Sequence, residues 1–211
     1  MSNSPLVNYT KLSPNCNKPR NKPITKITIH HMAGNLSVEQ CGEIFAKSSR
    51  QASSNYGIDS KGRVGLYVDE ANRSWCSSSP ENDHMAITIE VANDGGAPDW
   101  HVSDKALAKL IDLCVDICKR NNIKKLNFTG DKSGNLTMHK WFSATACPGK
   151  YLESKFPYIA DQVNKRLTAS TEKPYGKLYM VQVGAFTNKT NAEKMVKQLK
   201  DKGFSAIIKY E

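Results

Sequence analysis

The sequence predicts an α/β fold, a sheet with helices packed against it, followed by a small C-terminal βαβ unit. Three observations predict it. Short β-branched runs recur along the first 140 residues. Capped segments with apolar residues at helical spacing separate those runs, and strands alternating with helices are the mark of an α/β sheet. A small, polar stretch broken by Pro174 and Gly176 then sets the last residues apart.

The elements follow in order. Residues 24–29 (ITKITI) set Ile27 and Ile29 two apart among β-branched neighbours, a strand that delivers His30 and His31 at its C-terminal end. Ser37 with Gln40 three residues later makes a capping box, and Val38, Cys41, Ile44 and Phe45 continue it as an amphipathic helix to about Lys47. Residues 64–68 and 86–92 read as strands, the second alternating Ile87, Ile89 and Val91 against Thr88, Glu90 and Ala92. Glu90 therefore points away from the isoleucines. Ser103 caps a helix to about Arg120 whose Leu107, Leu110, Ile111, Cys114, Ile117 and Cys118 form one apolar stripe. Residues 136–140 read as a short strand bearing His139, 141–150 as a loop and 151–167 as a closing helix. The domain so defined spans 1–167, the linker 168–176 and the appended unit 177–211. In that unit LYMVQV and FSAIIKY are expected as strands around a helix introduced by Thr190 and Glu193. A piece of about 35 residues is too small to be stable alone on size grounds.

A chain of 211 residues holds one domain of ordinary size with residues to spare. No window approaches the roughly 18 apolar residues of a membrane span, and the N-terminus lacks the basic and apolar regions of a signal peptide. The expectation is synthesis in the cytoplasm, no membrane partner, and access to any extracellular target only after release. The formal charge of +10 favours a polyanionic partner. Nucleic acid is set aside, because no recognition motif or aromatic-basic interleaving accompanies that charge. The six cysteines show no CxxC pair and are read mostly as reduced core residues.

The residues that carry chemistry are His30, Glu90 and the segment MHKWFSATACPG, which places His139 eight residues ahead of Cys147. Two imidazoles and one thiolate make a three-ligand set for Zn2+ that leaves a fourth position open, as catalytic zinc requires. A carboxylate such as Glu90 is the complementary proton carrier. Taken singly, each histidine and cysteine has a bland structural reading. The residues alone leave open whether His30 or His31 faces a metal, while His84 and His101 are read as structural. A closed structural zinc site is disfavoured because no fourth ligand shows suitable spacing.

The segments ITIHHMAG, SSNYGID, AITIEVAN and MHKWFSATACPG resemble, in order and spacing, the N-acetylmuramoyl-L-alanine amidase type 2 family over about residues 7–167. The opening YTKLSPN and the middle segment NRSWCSSSPENDHMAITIEVAND are similar to those of endolysins and autolysins of Gram-positive phages and clostridia. The resemblance implies a central mixed β-sheet flanked by helices and zinc-dependent hydrolysis of the bond between N-acetylmuramic acid and L-alanine in peptidoglycan. It implies His30, His139 and Cys147 as zinc ligands, Glu90 as the catalytic carboxylate and Tyr56 bordering the attacking water. Many members carry an oxyanion-stabilising lysine where Thr145 stands here, and a neutral donor stabilises developing charge less than a cation does. The alternative is a peptidoglycan-binding module without catalysis; such relatives typically lack the cysteine ligand.

Residues 179–211 resemble the first half of a sporulation-related repeat domain, which implies binding to glycan strands. Residues 177–211 carry seven lysines against three acids, a net +4 that suits anionic wall polymers. The half-length motivates the expectation that two chains pair their halves into one sheet.

Overall fold

The computed structural model describes residues 2–169, 181–204 and 206–209. The chain divides into two compact units, 1–173 and 174–211.

Unit 1 is built on a six-stranded sheet. Its strands are β1 (Val7–Thr10), β3 (Lys26–His31), β4 (Tyr56–Ile58), β5 (Val64–Leu66), β7 (Ala86–Val91) and β8 (Leu136–Met138), in the order β1-β5-β4-β7-β3-β8. Only the β4–β5 pair is antiparallel, so the sheet is mixed and mostly parallel. A two-stranded ribbon of β2 (Cys16–Asn17) and β6 (Arg73–Ser74) stands beside it. The helices are α1 (Val38–Ala46), α2 (Pro80–Met85), α3 (Asp104–Arg120) and α4 (Gly149–Ala169).

Alternation along the central strands sorts the two faces of the sheet. Ile27, Ile29, Ile87, Ile89, Leu136 and Met138 are at most 1% exposed and pack with Leu110, Leu113 and Ile117 of α3 and Leu152 and Phe156 of α4. Each such side chain contributes roughly 1.5–3 kcal/mol on burial. Thr28, Thr88 and Thr137 take the other face, where hydroxyls satisfy one another: Thr28 Oγ1 lies 2.9 Å from Thr137 Oγ1 and Ser74 Oγ 2.7 Å from Thr88 Oγ1. This polar floor ends, one step further along each strand, at His30 and Glu90.

The capping box at Ser37 and Gln40 forms with both hydrogen bonds, and Ser103 caps α3 through the amide of Ala106. Three differences from expectation have local causes. The strand at 136 stops at Met138, and His139 opens a single 3-10 turn, His139–Trp141, which swings its ring in toward His30. Helix α4 starts at Gly149 rather than 151; its φ of +85° and the 2.6 Å that would separate an added Cβ from Trp100 Cβ restrict that position to glycine. Strand β4, helix α2 and the two-residue strands are too short to show periodicity.

In unit 2, α5 (Lys189–Asp201) is capped by the Asn188 side chain and buries no residue. The expected flanking strands fall partly outside the described residues, and the described parts, 181–183 and 206–209, form no strand. A strand exists only through a hydrogen-bonded partner, and among the described residues none is supplied. Of the expected linker, Thr168 and Ala169 complete α4 and 170–176 lie outside the described residues.

Candidate metal and catalytic centre

Parallel register sets the first two groups. His30 on β3 is paired with Glu90 on β7, so their side chains rise side by side from the same face. The 3-10 turn after β8 brings His139 to a ring-centroid distance of 4.6 Å from His30. The loop that follows returns Cys147 beneath the end of β3, where the backbone N–H of His31 donates to its sulfur at 3.3 Å. The ligand atoms of His30, His139 and Cys147 lie within 4.8 Å of one another.

Their chemistry fits a soft divalent cation. Nε2 of His30 and of His139 are buried and have no hydrogen-bond partner, a costly state for a ring nitrogen unless something binds there. Burial, with His139 and His31 adding to it, holds the His30 pKa well below its ordinary value; burial likewise lowers that of His139. Both imidazoles are thus neutral, the form that ligates metals. Burial and the neighbouring Glu90 push the Cys147 thiol up, with the His31 N–H acting in the opposite direction. A bound cation would reverse that preference, because a coordinating thiol is deprotonated.

Glu90 is the acid of the cluster. Burial pushes its carboxyl up to about 8, with Arg50 pulling it back. Its Oε2 is buried without a partner, whereas Oε1 lies 3.9 Å from Cys76 Sγ. Cys76 is the site residue that sequence reasoning missed: with His30 and Glu90 it forms a second trio within 4.8 Å, sharing His30 with the first. A fourth sulfur or nitrogen near the cluster is therefore present, contrary to the expectation from spacing. Nothing in the sequence pairs residue 76 with residue 30; the ribbon strand β6 carries it over the sheet.

Tyr56 is a correction. It was expected at the edge of the catalytic water, but its register partner is Ile89, and it points into the apolar core on the opposite face from Glu90. It is fully buried, and its hydroxyl donates to Glu70 Oε1 at 2.6 Å while accepting from Ser4 N. The β4 residue beside Glu90 is Gly57, over which the Tyr67 ring packs so closely that an added Cβ would lie 2.6 Å from it. Thr145 is exposed on the loop before Cys147, and its Oγ1 accepts from the Cys147 amide at 3.2 Å, leaving its own proton free. His31 turns its ring to Asn93, 2.9 Å away, and packs against Trp100 with ring centroids 4.9 Å apart and the planes tilted by 59°, so of the two adjacent histidines His30 alone joins the trio.

Two neutral imidazoles, a thiol and an unpaired carboxylate oxygen at the C-terminal edge of parallel strands are the parts of a hydrolytic centre. Residues 20–150 match the model of the N-acetylmuramoyl-L-alanine amidase family, and the chain belongs to that family. Its class of activity is hydrolysis of an amide bond in peptidoglycan. Residues 175–211 match the SPOR domain model. No match was found among curated proteins. Among solved structures, the chain is similar to the catalytic domain of XlyA, at 18% identity and a TM-score of 0.59, covering 74% of this chain and 99% of that one. It is also similar to the endolysin N-acetylmuramoyl-L-alanine amidase LysCS from Clostridium intestinale, at 19% identity and a TM-score of 0.56, covering 80% and 99%. A third similarity is to the Staphylococcus aureus hydrolase AmiA solved with its ligand, at 15% identity and a TM-score of 0.61, covering 78% and 83%. These likenesses establish a shared fold.

Proposed function

We propose that the chain is a zinc-dependent amidase that cleaves the bond between N-acetylmuramic acid and L-alanine, working as a phage or prophage endolysin or as an autolysin. The observation that carries this reading is the buried, partnerless pair of Nε2 atoms on His30 and His139 beside Cys147, with Glu90, whose Oε2 is also partnerless, in register with His30 on the adjacent strand.

His30, His139 and Cys147 would hold Zn2+, which supplies a Lewis acid for the amide carbonyl and for the attacking water. Glu90 Oε2 takes the proton of that water and passes it to the departing L-alanine amine; a carboxyl already pushed up to about 8 suits both halves of the exchange near neutrality. Thr145 offers its free hydroxyl proton to the developing oxyanion, a weaker stabiliser than a cation. Tyr56 has no part in the chemistry on this reading.

Peptidoglycan, glycan strand and stem peptide together, is the partner, and the basic C-terminal unit adds attraction to anionic wall polymers that fades as salt screens it. Pairing of two such units between chains would give α5 the covered face it lacks; a strictly monomeric chain in concentrated sedimentation runs would refute that. The protein acts on the wall after release from the cell. Glu90→Gln tests the catalytic assignment: it is expected to bind one zinc per chain and lose most turnover, and wild-type turnover would refute it.

A further inference from the structure

One buried carboxylate near the cluster has no part in the chemistry described so far. Asp83, on α2, is 2% exposed, and among the described residues it forms no ion pair. Burying a carboxylate is costly unless donors satisfy it. Four converge on this one: the backbone N–H groups of Cys76 and Ser77 donate to Oδ2 at 3.0 and 3.1 Å, and the Ser77 hydroxyl and Asn82 Nδ2 donate to Oδ1 at 2.6 and 3.4 Å. Only a group that accepts through both oxygens can face them all, because an amide would turn its NH2 against N–H donors. Asp83 is itself fixed from behind. Arg20, also buried, donates to the carbonyls of Asp83, His84 and Ala86 and to those of Glu70 and Asn72, so one guanidinium joins α2 and the start of β7 to the chain entering β6. Ser79 completes the frame by capping α2 at the amide of Asn82. The turn from β6 to α2 is thus held at both ends, and it delivers Cys76, whose sulfur lies 3.9 Å from Glu90 Oε1.

We infer that Asp83 is a positioning residue for the reaction: its carboxylate fixes the backbone at Cys76 and Ser77, which holds the Cys76 thiol on Glu90 Oε1 and leaves Oε2 free for the proton transfer. The inference rests on the amidase reading for the role of Glu90. Asp83 belongs to neither group of clustered ligand atoms, so its route to the chemistry runs through Cys76. A second route exists in principle, because the charge of Asp83 also acts on His139, against the effect of burial. The two routes differ in one respect: only the first disappears when the Cys76 sulfur is removed.

The test is a double-mutant cycle in the full zinc-loaded chain acting on a disaccharide peptide, with Asp83→Asn, Cys76→Ala and the double variant. Asp83→Asn is expected to lower kcat several-fold with KM and zinc stoichiometry unchanged, and the double variant to be no slower than Cys76→Ala alone. Asp83→Glu, which keeps both acceptor oxygens on a longer stem, is expected to recover part of the loss. Should Asp83→Asn fail to fold, Ser77→Ala removes one donor from the same carboxylate, with a smaller loss of kcat that again vanishes in the Cys76→Ala background. In parallel, the Glu90 13Cδ resonance, followed by NMR at fixed pH, is expected to move in Asp83→Asn and Cys76→Ala alike and no further in the double variant. That pattern in a protein that cleaves no peptidoglycan would refute the amidase and not the coupling of Asp83 to Glu90. Losses in kcat that multiply in the double variant, or a Glu90 resonance untouched by Asp83→Asn, would overturn the inference.

Discussion

His30 and Glu90 stand in register on the adjacent parallel strands β3 and β7, so a candidate ligand and a candidate proton carrier rise side by side from one face of the sheet. A slip of one residue in either strand would send one of them into the isoleucine core. The catalytic geometry is therefore specified by the same alternation that specifies the core, and removing either polar group leaves the apolar face intact. Glu90→Gln is accordingly expected to fold as wild type, which circular dichroism and thermal melting check.

Tyr56 is held as a structural residue. Its hydroxyl joins Ser4 to Glu70, which Arg120 also grips with two hydrogen bonds of 2.6 and 2.7 Å. Tyr56→Phe is expected to lower stability by about 1–3 kcal/mol, the usual effect of stripping a buried group of its partner, with kcat and zinc content unchanged. Denaturant unfolding and turnover of the same preparation check it; a collapse of kcat without loss of stability would restore the residue to the site.

Cys76 is expected to hold Glu90 by its Oε1 and leave Oε2 for the proton transfer. Cys76→Ala is expected to lower kcat several-fold with zinc stoichiometry unchanged, and Cys76→Ser to recover part of the loss. The cobalt-substituted protein separates this from direct ligation: the thiolate-to-cobalt absorption band is expected to be the same with and without the Cys76 sulfur. A weaker band in Cys76→Ala would make it a ligand.

Arg63 ties α1 to the turn after β4, with bidentate hydrogen bonds of 2.7 and 2.9 Å to Glu39 and one of 2.8 Å to Asp59. The Arg63 contact, first among its causes, holds the Glu39 carboxyl down at about 2 from its ordinary 4.5. A carboxyl depressed in the folded state stabilises above its unfolded value and loses that contribution as pH falls, here between about 4.5 and 2. The pair is half exposed, so the effect is modest. Melting temperatures of the wild type are expected to decline more steeply across that window than those of Arg63→Gln; parallel curves would argue against it.

The long elements were legible in the sequence because each carries many periods: α3 with its six-residue apolar stripe and β7 with its alternation lie where the pattern puts them. The placement of Glu90 opposite Ile87 and Ile89 follows from that alternation alone. The residues alone left open which of His30 and His31 faces a metal, although the alternation that places Glu90 likewise sets His30 with Thr28, opposite Ile27 and Ile29. Tyr56 was expected at the site from the resemblance alone: its strand spans three residues, too few to show which way a side chain points, and the register with Ile89 turns it into the core. Cys76 was invisible because its proximity to His30 depends on how a two-residue strand crosses the sheet, which no local signal encodes. In unit 2 the helix was expected behind a Thr190–Glu193 capping box, whereas the Asn188 side chain caps it and Thr190 lies in its first turn, and strands depend on partners that a short segment does not itself specify.

The most direct test is mass spectrometry of purified peptidoglycan digested by the full chain, as isolated, after chelation and after zinc is restored. The account predicts stem peptides with a free L-alanine amine, absent after chelation and regained with zinc. Intact wall in all three conditions, with the protein still bound to it, would contradict the amidase and leave a recognition module on the same fold.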